Sequence, residues 1–436
     1  MANSERSTSS NSSAAIEDVS KSASSNFGRK GWTTIALTAL MLYFSTGTSV
    51  DGLNATVQGL SELHGWDTAT LLGFSTLSGL VSIVGMFAFG YICDRIGARW
   101  VAVLSLILGG ISYIWYGNVT SIGQYAVALC LVSLFSNVYA WIAGGAYLAS
   151  WFPKKKGLAL GWATMGNNLS SATIVIIITA LARSLGGIKM SITVIGVAMI
   201  VSAIWAWFTP DKPEQAGATP DNVPMSKEQM DAYRAESDAY VSSWTYQKLI
   251  RTKQFWMISL GLGLYMLITV GVMSQLVPRL MMSFDFTLDK AIGTMTVCAL
   301  VGVVGSYLWG VVDQKLSTRV ATAIYGIWYA VAVLLNLLPY IGTLYVSIFM
   351  IGVSIGGNAN WPVSLVSTTF GHRNFAKVYS AINPAISIIR MLSFVVLAIS
   401  LSFTGSYSAA YILFVVLAVV GAALIYFLDD KQYAAE

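Results

Sequence analysis

The chain has 436 residues, of which 56% are hydrophobic and only 10% charged, and its mean hydropathy is +0.67. Soluble domains carry about 25% charged residues, so a soluble globular domain is excluded and most of the chain belongs in lipid. The net charge of +5 is too small for a polybasic, nucleic-acid-binding surface. Cys93, Cys130 and Cys298 fall in or beside apolar runs without metal-ligand spacing, and read as buried thiols, not as a disulfide or metal site.

Residues 1–28 are rich in Ser, Asn and small residues and lack an apolar h-region, which predicts a disordered cytoplasmic tail and not a signal peptide. Arg29 and Lys30 flank the first apolar run, 31–53, and hold its start on the cytoplasmic side. Further runs, each long enough to cross a bilayer at about 20 residues, cover 68–93, 99–117, 122–150, 158–182 and 189–208. These six spans make an N-terminal half over 29–208. The polar stretch 209–252, with Pro213, Pro220 and Pro224 and many acids, reads as a cytoplasmic linker with a short amphipathic helix near Ser226 to Tyr240. The C-terminal half, 253–428, has spans at 254–278, 289–312, 319–338, 340–369, 377–403 and 406–428, and a cytoplasmic tail covers 429–436.

With both termini inside, the inside turns hold fourteen Lys and Arg, from Arg29 to Lys377, against Arg183, Lys189, Arg279 and Lys290 outside. That bias follows the positive-inside rule. The loops carry nothing that depends on glycosylation, which suits a bacterial inner membrane.

Between the second and third spans lies Gly90-Tyr91-Ile92-Cys93-Asp94-Arg95-Ile96-Gly97-Ala98-Arg99, a short charged turn. It is echoed at Gly310, Asp313 and Arg319, offset by 220, 219 and 220 residues, and Trp151-Phe152-Pro153-Lys154-Lys155-Lys156 is echoed near Phe370-Gly371-His372-Arg373. Such offsets imply two parallel six-helix repeats with a binding site between them near the midplane. The pattern Gly-x-x-x-Asp-Arg-x-Gly-x-Arg resembles the loop joining transmembrane helices 2 and 3 in the major facilitator superfamily. The resemblance implies an all-α membrane protein of twelve transmembrane helices in two six-helix pseudo-repeats, and a monomeric secondary transporter working by alternating access. It also implies that Gly90, Asp94, Arg95, Gly97, Arg99, Asp313 and Arg319 belong to the inner gate.

Several polar groups sit where lipid would penalise them. Arg390 lies deep in span 11, and an Arg at a helix centre costs about 2.5–3.5 kcal/mol on insertion scales unless it faces a cavity or partner. It is either a fixed cation that holds a carboxylate through its planar fork or a structural Arg bonded to a neighbouring helix. Asp51, near the outer end of span 1, is either a proton carrier or an interfacial acid at the outer gate. Asn137 with Trp141 and Asn358 with Trp361 share helix faces; with Tyr265 and Asn383 they are candidate cavity-lining groups, the bland alternative being interhelical hydrogen bonds. Gly157-x-x-x-Gly161 and Gly352-x-x-x-Gly356 read as close helix contacts.

Catalytic constellations are missing from the sequence: His64 and His372 both fall in expected loops, and no Gly-rich phosphate loop is followed by Lys-Ser/Thr. The chain is therefore not read as an enzyme or an ATP-driven pump, and no cofactor or metal is implied. Span 4 lacks the Arg, and span 5 the Pro, that the resemblance would require of drug/proton antiporters. The turn Trp151 to Gly161 and the cation in span 11 are similar to those of the oxalate/formate antiporter and monocarboxylate transporter families, although oxalate exchangers are expected to have Lys in span 11 and a second cation in span 8. The reading is thus a transporter of a small organic anion, a monocarboxylate, with proton symport. Open alternatives are anion exchange, a neutral-solute transporter, and an anion sensor that moves nothing.

Overall fold

The computed structural model describes residues 25–240, 242–430 and 433. Among them the regular structure is all helical, and twelve helices are long and apolar enough to cross a membrane. They are α1 Gly28–His64, α2 Thr68–Ile96, α3 Ala98–Gly117, α4 Ile122–Trp151, α5 Lys156–Leu185, α6 Ile188–Phe208, α7 Lys253–Phe284, α8 Leu288–Lys315, α9 Thr318–Asn336, α10 Ile341–Asn358, α11 His372–Thr404 and α12 Ser408–Tyr426. Helices answer the bilayer's main demand, because each satisfies its own backbone groups where no water can. Their starts are fixed by side chains that accept orphan N–H groups: Asp67 from Thr70, Ser121 from Gln124, Thr252 from Phe255 and Ser317 from Val320.

Three helices depart from the sequence expectation. α1 does not stop at 53 but runs to His64, broken only at Val50 (φ −127°, ψ −83°) and closed by left-handed Gly65. Asp51 therefore lies inside the helix, beyond that break, and not at its outer end; His64 ends the helix and stacks on Trp66. α7 passes through Pro278 to Phe284. Arg279, counted above as an outside-turn cation, is consequently buried inside a span, where it donates to the Asn336 side chain (2.6 Å) and carbonyl (2.8 Å) and lies over the Tyr411 ring. α4 contains a π-helical segment, Val138–Ala143, immediately after Asn137. Such segments are rare and often mark functional sites.

α10 continues beyond Ala359 as a second helical segment, Asn360–Phe370. His372, expected in a loop, opens α11 through a 3-10 turn. Within 209–252 a helix Lys227–Ala239 starts with a full capping box between Ser226 and Gln229. The expected tail 1–28 lies outside the described residues up to 24; Phe27 is buried against Phe152. In 429–436, Asp430 is buried and Tyr433 stacks on Phe370, while 431, 432 and 434–436 lie outside the described residues.

α1–α6 and α7–α12 meet along two main seams, α5 on α8 and α2 on α11. At the first, Gly157 and Gly161 lie against Gly310 so closely that a Cβ on Gly157 would come within 2.9 Å of the Gly310 carbonyl oxygen. Small residues let two backbones approach in this way.

Candidate functional site

The two seams are closed at the end of the bundle that carries the linker. At the α2–α11 crossing, a Cβ on Gly90 would lie 2.1 Å from Ser380 Oγ. One turn on, Asp94 faces Lys377 Nζ at 4.0 Å and the Lys377 backbone N–H at the start of α11. The linker closes over this crossing: Tyr246 donates to the Phe87 carbonyl of α2 (2.9 Å) and shares a hydrogen bond with Ser380 of α11, and Glu236 pairs with Arg373 at 3.1 Å. At the α5–α8 crossing, the charge of half-buried Lys156 faces that of buried Asp313. Lys156 donates to Thr368, and Asp313 accepts from Ser364 at 2.5 Å, both hydroxyls lying on the second segment of α10. Gln314 adds a bond to the Lys154 carbonyl.

The two crossings are repeats of one device. Each sets an acid from the end of α2 or α8 (Asp94, Asp313) against a lysine at the start of α11 or α5 (Lys377, Lys156), at sequence offsets of 219 and 221. The lysines were not singled out from the sequence, although that offset carried the signal. Two linker acids cap neighbouring helices. Asp211 accepts from the Arg99 N–H at 2.5 Å and fills the space a Cβ on Gly97 (φ +86°) would need. Asp221 accepts from the Lys154 and Lys155 N–H groups. Burial raises both carboxyls, Asp221 to about 6, against the opposing pull of those N–H groups and nearby cations. Arg95 lies over the Tyr91 ring, and Arg319 donates to the Leu428 carbonyl.

Tyr379, Asn383, Ile386 and Arg390 lie on one face of α11, at helical spacings that keep them aligned. Asn383 touches Met86 of α2 through a hydrogen bond to its sulfur, and is the last of the four to meet the opposite half in this way. Arg390, two turns further on, is exposed, and among the described residues it forms no hydrogen bond or ion pair. Its charge is felt by the Tyr379 hydroxyl, three turns back on the same helix. An unpaired guanidinium at that depth offers five fixed donors to a ligand.

The other candidates divide. Asn137 donates to Ser82 of α2 (3.0 Å) and to the Ser133 carbonyl, and it and Trp141 are half-buried on α4. Asp51 is half-buried and accepts from Ser171 (2.5 Å), halfway along α5; one turn nearer the closed end, Thr46 donates to Asn167. Asn137, Asp51 and Thr46 thus bond to neighbouring helices of the first half. Tyr265 and Trp361 are packed away from Arg390: both are fully buried in an aromatic cluster with Trp309 and Tyr325, where Tyr265 donates to the Thr322 carbonyl. Asn358, 7% exposed, ties α10 to α7 through Thr269 and Met266. Tyr379 was missed from the sequence because only the helix face, and not the residue type, relates it to Arg390.

Twelve helices long and apolar enough to cross a membrane, in two halves that meet at charged crossings, are the architecture of a solute carrier. The sequence model of the Major Facilitator Superfamily matches residues 39–394, and the chain belongs to that family. It is 25% identical over 323 residues to the uncharacterized MFS-type transporter YhjX of Escherichia coli (strain K12), covering 70% of this chain and 73% of that protein. It is 30% identical over 198 residues to a putative glycerol-3-phosphate transporter 1 of Arabidopsis thaliana, covering 43% of this chain and 36% of the relative. Among solved structures, the human organic anion transporter MFSD10 superposes with a TM-score of 0.69 at 13% identity, over 91% of this chain and 99% of that one. The E. coli fucose:proton symporter FucP gives 0.67 at 12%, over 91% and 98%. The fold is therefore that of these transporters, and the protein is a multi-pass membrane transporter, not an enzyme.

Proposed function

We propose that the protein carries a small organic anion, a monocarboxylate, across a bacterial inner membrane by alternating access, coupled to proton symport. The single observation behind this reading is Arg390, a guanidinium exposed within a span and unpaired among the described residues. A planar fork of this kind binds a carboxylate through two charge-assisted hydrogen bonds, and one such cation neutralises one carboxylate. Asn383 and Tyr379, on the same helix face, and Asn137 and Trp141 opposite are the groups assigned to orient the rest of the substrate. Asp51, bonded to a neutral serine and to no cation, is assigned the proton. Relatives named for glycerol 3-phosphate and organic anions fit an anionic cargo, and the FucP neighbour fits proton coupling. In this reading the linker end is cytoplasmic, both termini are inside, the charged crossings form the inner gate, and the transporter works as a monomer.

Calorimetric titration of the purified protein with monocarboxylates, dicarboxylates and neutral solutes tests the proposal. The expected result is selective binding of a monocarboxylate by the wild type and its loss in Arg390→Gln. Binding of a neutral solute with equal affinity by both proteins would replace the anion reading with a neutral-solute one.

A further inference from the structure

The outer face of the second half carries a groove of about 660 Å³ between α9, α10 and α12, floored and walled by Val320, Ile324, Trp328, Val419, Ala423 and Tyr426. The Trp328 indole donates to the Met350 carbonyl, which fixes the floor. Its linker-side mouth is formed by Val320 and Tyr426, next to Arg319 at the first turn of α9. Tyr426 and Phe427, both exposed, mark the depth at which amphipathic aromatics meet headgroups.

The internal repeat makes this groove informative. Its counterparts in the first half of the chain are Trp100, offset by 220 from Val320, and Trp207, offset by 219 from Tyr426. Those two indoles pack edge to face, with ring centroids 4.8 Å apart, and occupy the equivalent space between α3 and α6. The cation differs as well. Arg99 has the carboxylate of Asp211 beside it. The acid at the matching position in the second half, Asp430, is buried and acts on Lys156 instead. Arg319 is left with one acceptor, the Leu428 carbonyl, and with its ring-face contact to Tyr426. An open apolar groove thus ends at an arginine whose donors are mostly unused and whose charge no described carboxylate pairs.

We infer that this groove is a binding site for one anionic phospholipid, with an acyl chain along α9 and α12 and the headgroup phosphate on Arg319. Cationic pockets between membrane helices recognise lipid headgroups by this combination of apolar length and terminal charge, and guanidinium suits phosphate through paired N–H donors. A zwitterionic lipid fills the same groove but gains less at the arginine, so the site discriminates by headgroup charge. The proposal is independent of the transported substrate.

The test is native mass spectrometry of the purified full-length protein titrated with phosphatidylglycerol and, separately, phosphatidylcholine. Wild type is expected to retain one phosphatidylglycerol at least fivefold more tightly than phosphatidylcholine. Arg319→Gln should abolish that preference while keeping chain binding, and Val320→Trp, which installs the first-half residue, should remove the tight site for both lipids. Circular dichroism and size-exclusion profiles matching wild type qualify each variant, and either variant alone decides the question. Equal binding of the two lipids by wild type overturns the proposal, as does a preference that survives both substitutions. A dimer dissociated by Val320→Trp would overturn it too, because a second copy would then cover the groove.

Discussion

Gly90→Ala tests the closed crossing where the geometry is tightest. The added methyl would stand 2.1 Å from Ser380 Oγ and 2.3 Å from Ser380 Cβ, so α2 and α11 must separate there. Overpacking a tight contact costs about 1–3 kcal/mol, and this cost falls on the closed linker end alone, since the contact exists only there. The ratio of open to closed linker ends should therefore rise by about 5- to 150-fold. The native Cys93 reports the change: it lies one turn along α2, buried at 5% exposure, and lines the cavity beneath the linker. In a Cys130→Ser, Cys298→Ser background, maleimide should modify Cys93 faster in Gly90→Ala by a factor in that range. Ser380→Gly, which removes both clashing atoms, should restore the slow rate in the double variant. An unchanged labelling rate in Gly90→Ala, or a double variant as fast as the single one, would refute the assignment of this crossing as a gate.

The same assay separates the two charged crossings. Asp313→Asn weakens the bond that the buried carboxylate accepts from Ser364 and removes its pull on Lys156, about 1.5–3 kcal/mol for a hydrogen bond to a charged group, whereas Asp94→Asn breaks a half-exposed pair at 4.0 Å worth about 1 kcal/mol at most; Asp313→Asn should therefore open the linker end more. Arg279→Gln should lower thermal stability measured by tryptophan fluorescence, because it strips two hydrogen bonds from the buried Asn336 at about 1.5–3 kcal/mol each, and Arg390→Gln should not. The Asp221 carboxyl is raised by burial to about 6 in the folded protein from 3.8, so the folded state holds its proton more tightly and stability falls as pH rises from about 4 to about 6. The fall is at most about 3 kcal/mol, and Asp221→Asn should flatten it in melts taken across that window.

The fold was legible because lipid imposes one rule on every span: long apolar runs can only be helices. What polarity could not locate were the helix ends. Asn54, Gln58, Ser61 and Glu62 gave the end of α1 the look of a loop, yet they continue a helix, and Pro278 looked like a stop but is accommodated within α7. Arg390 was legible for the same reason the spans were, since a charge in an apolar run stands out. Tyr265 and Trp361 were not separable from cavity-lining residues, because an aromatic ring suits a packed core as well as a binding wall and only the helix rotation decides. The acids of the two crossings were visible in the motif and its echo, whereas their lysine partners lie on other helices and come together only through the two-fold repeat.

The most direct test of the central claim is accumulation of a radiolabelled monocarboxylate in proteoliposomes under an inward proton gradient, wild type beside Arg390→Gln and Asp51→Asn. The account predicts gradient-driven accumulation by wild type, no uptake by Arg390→Gln, and uptake by Asp51→Asn that no longer responds to the gradient. Undiminished uptake by Arg390→Gln would contradict it, since the cation proposed as the anchor would then hold no substrate.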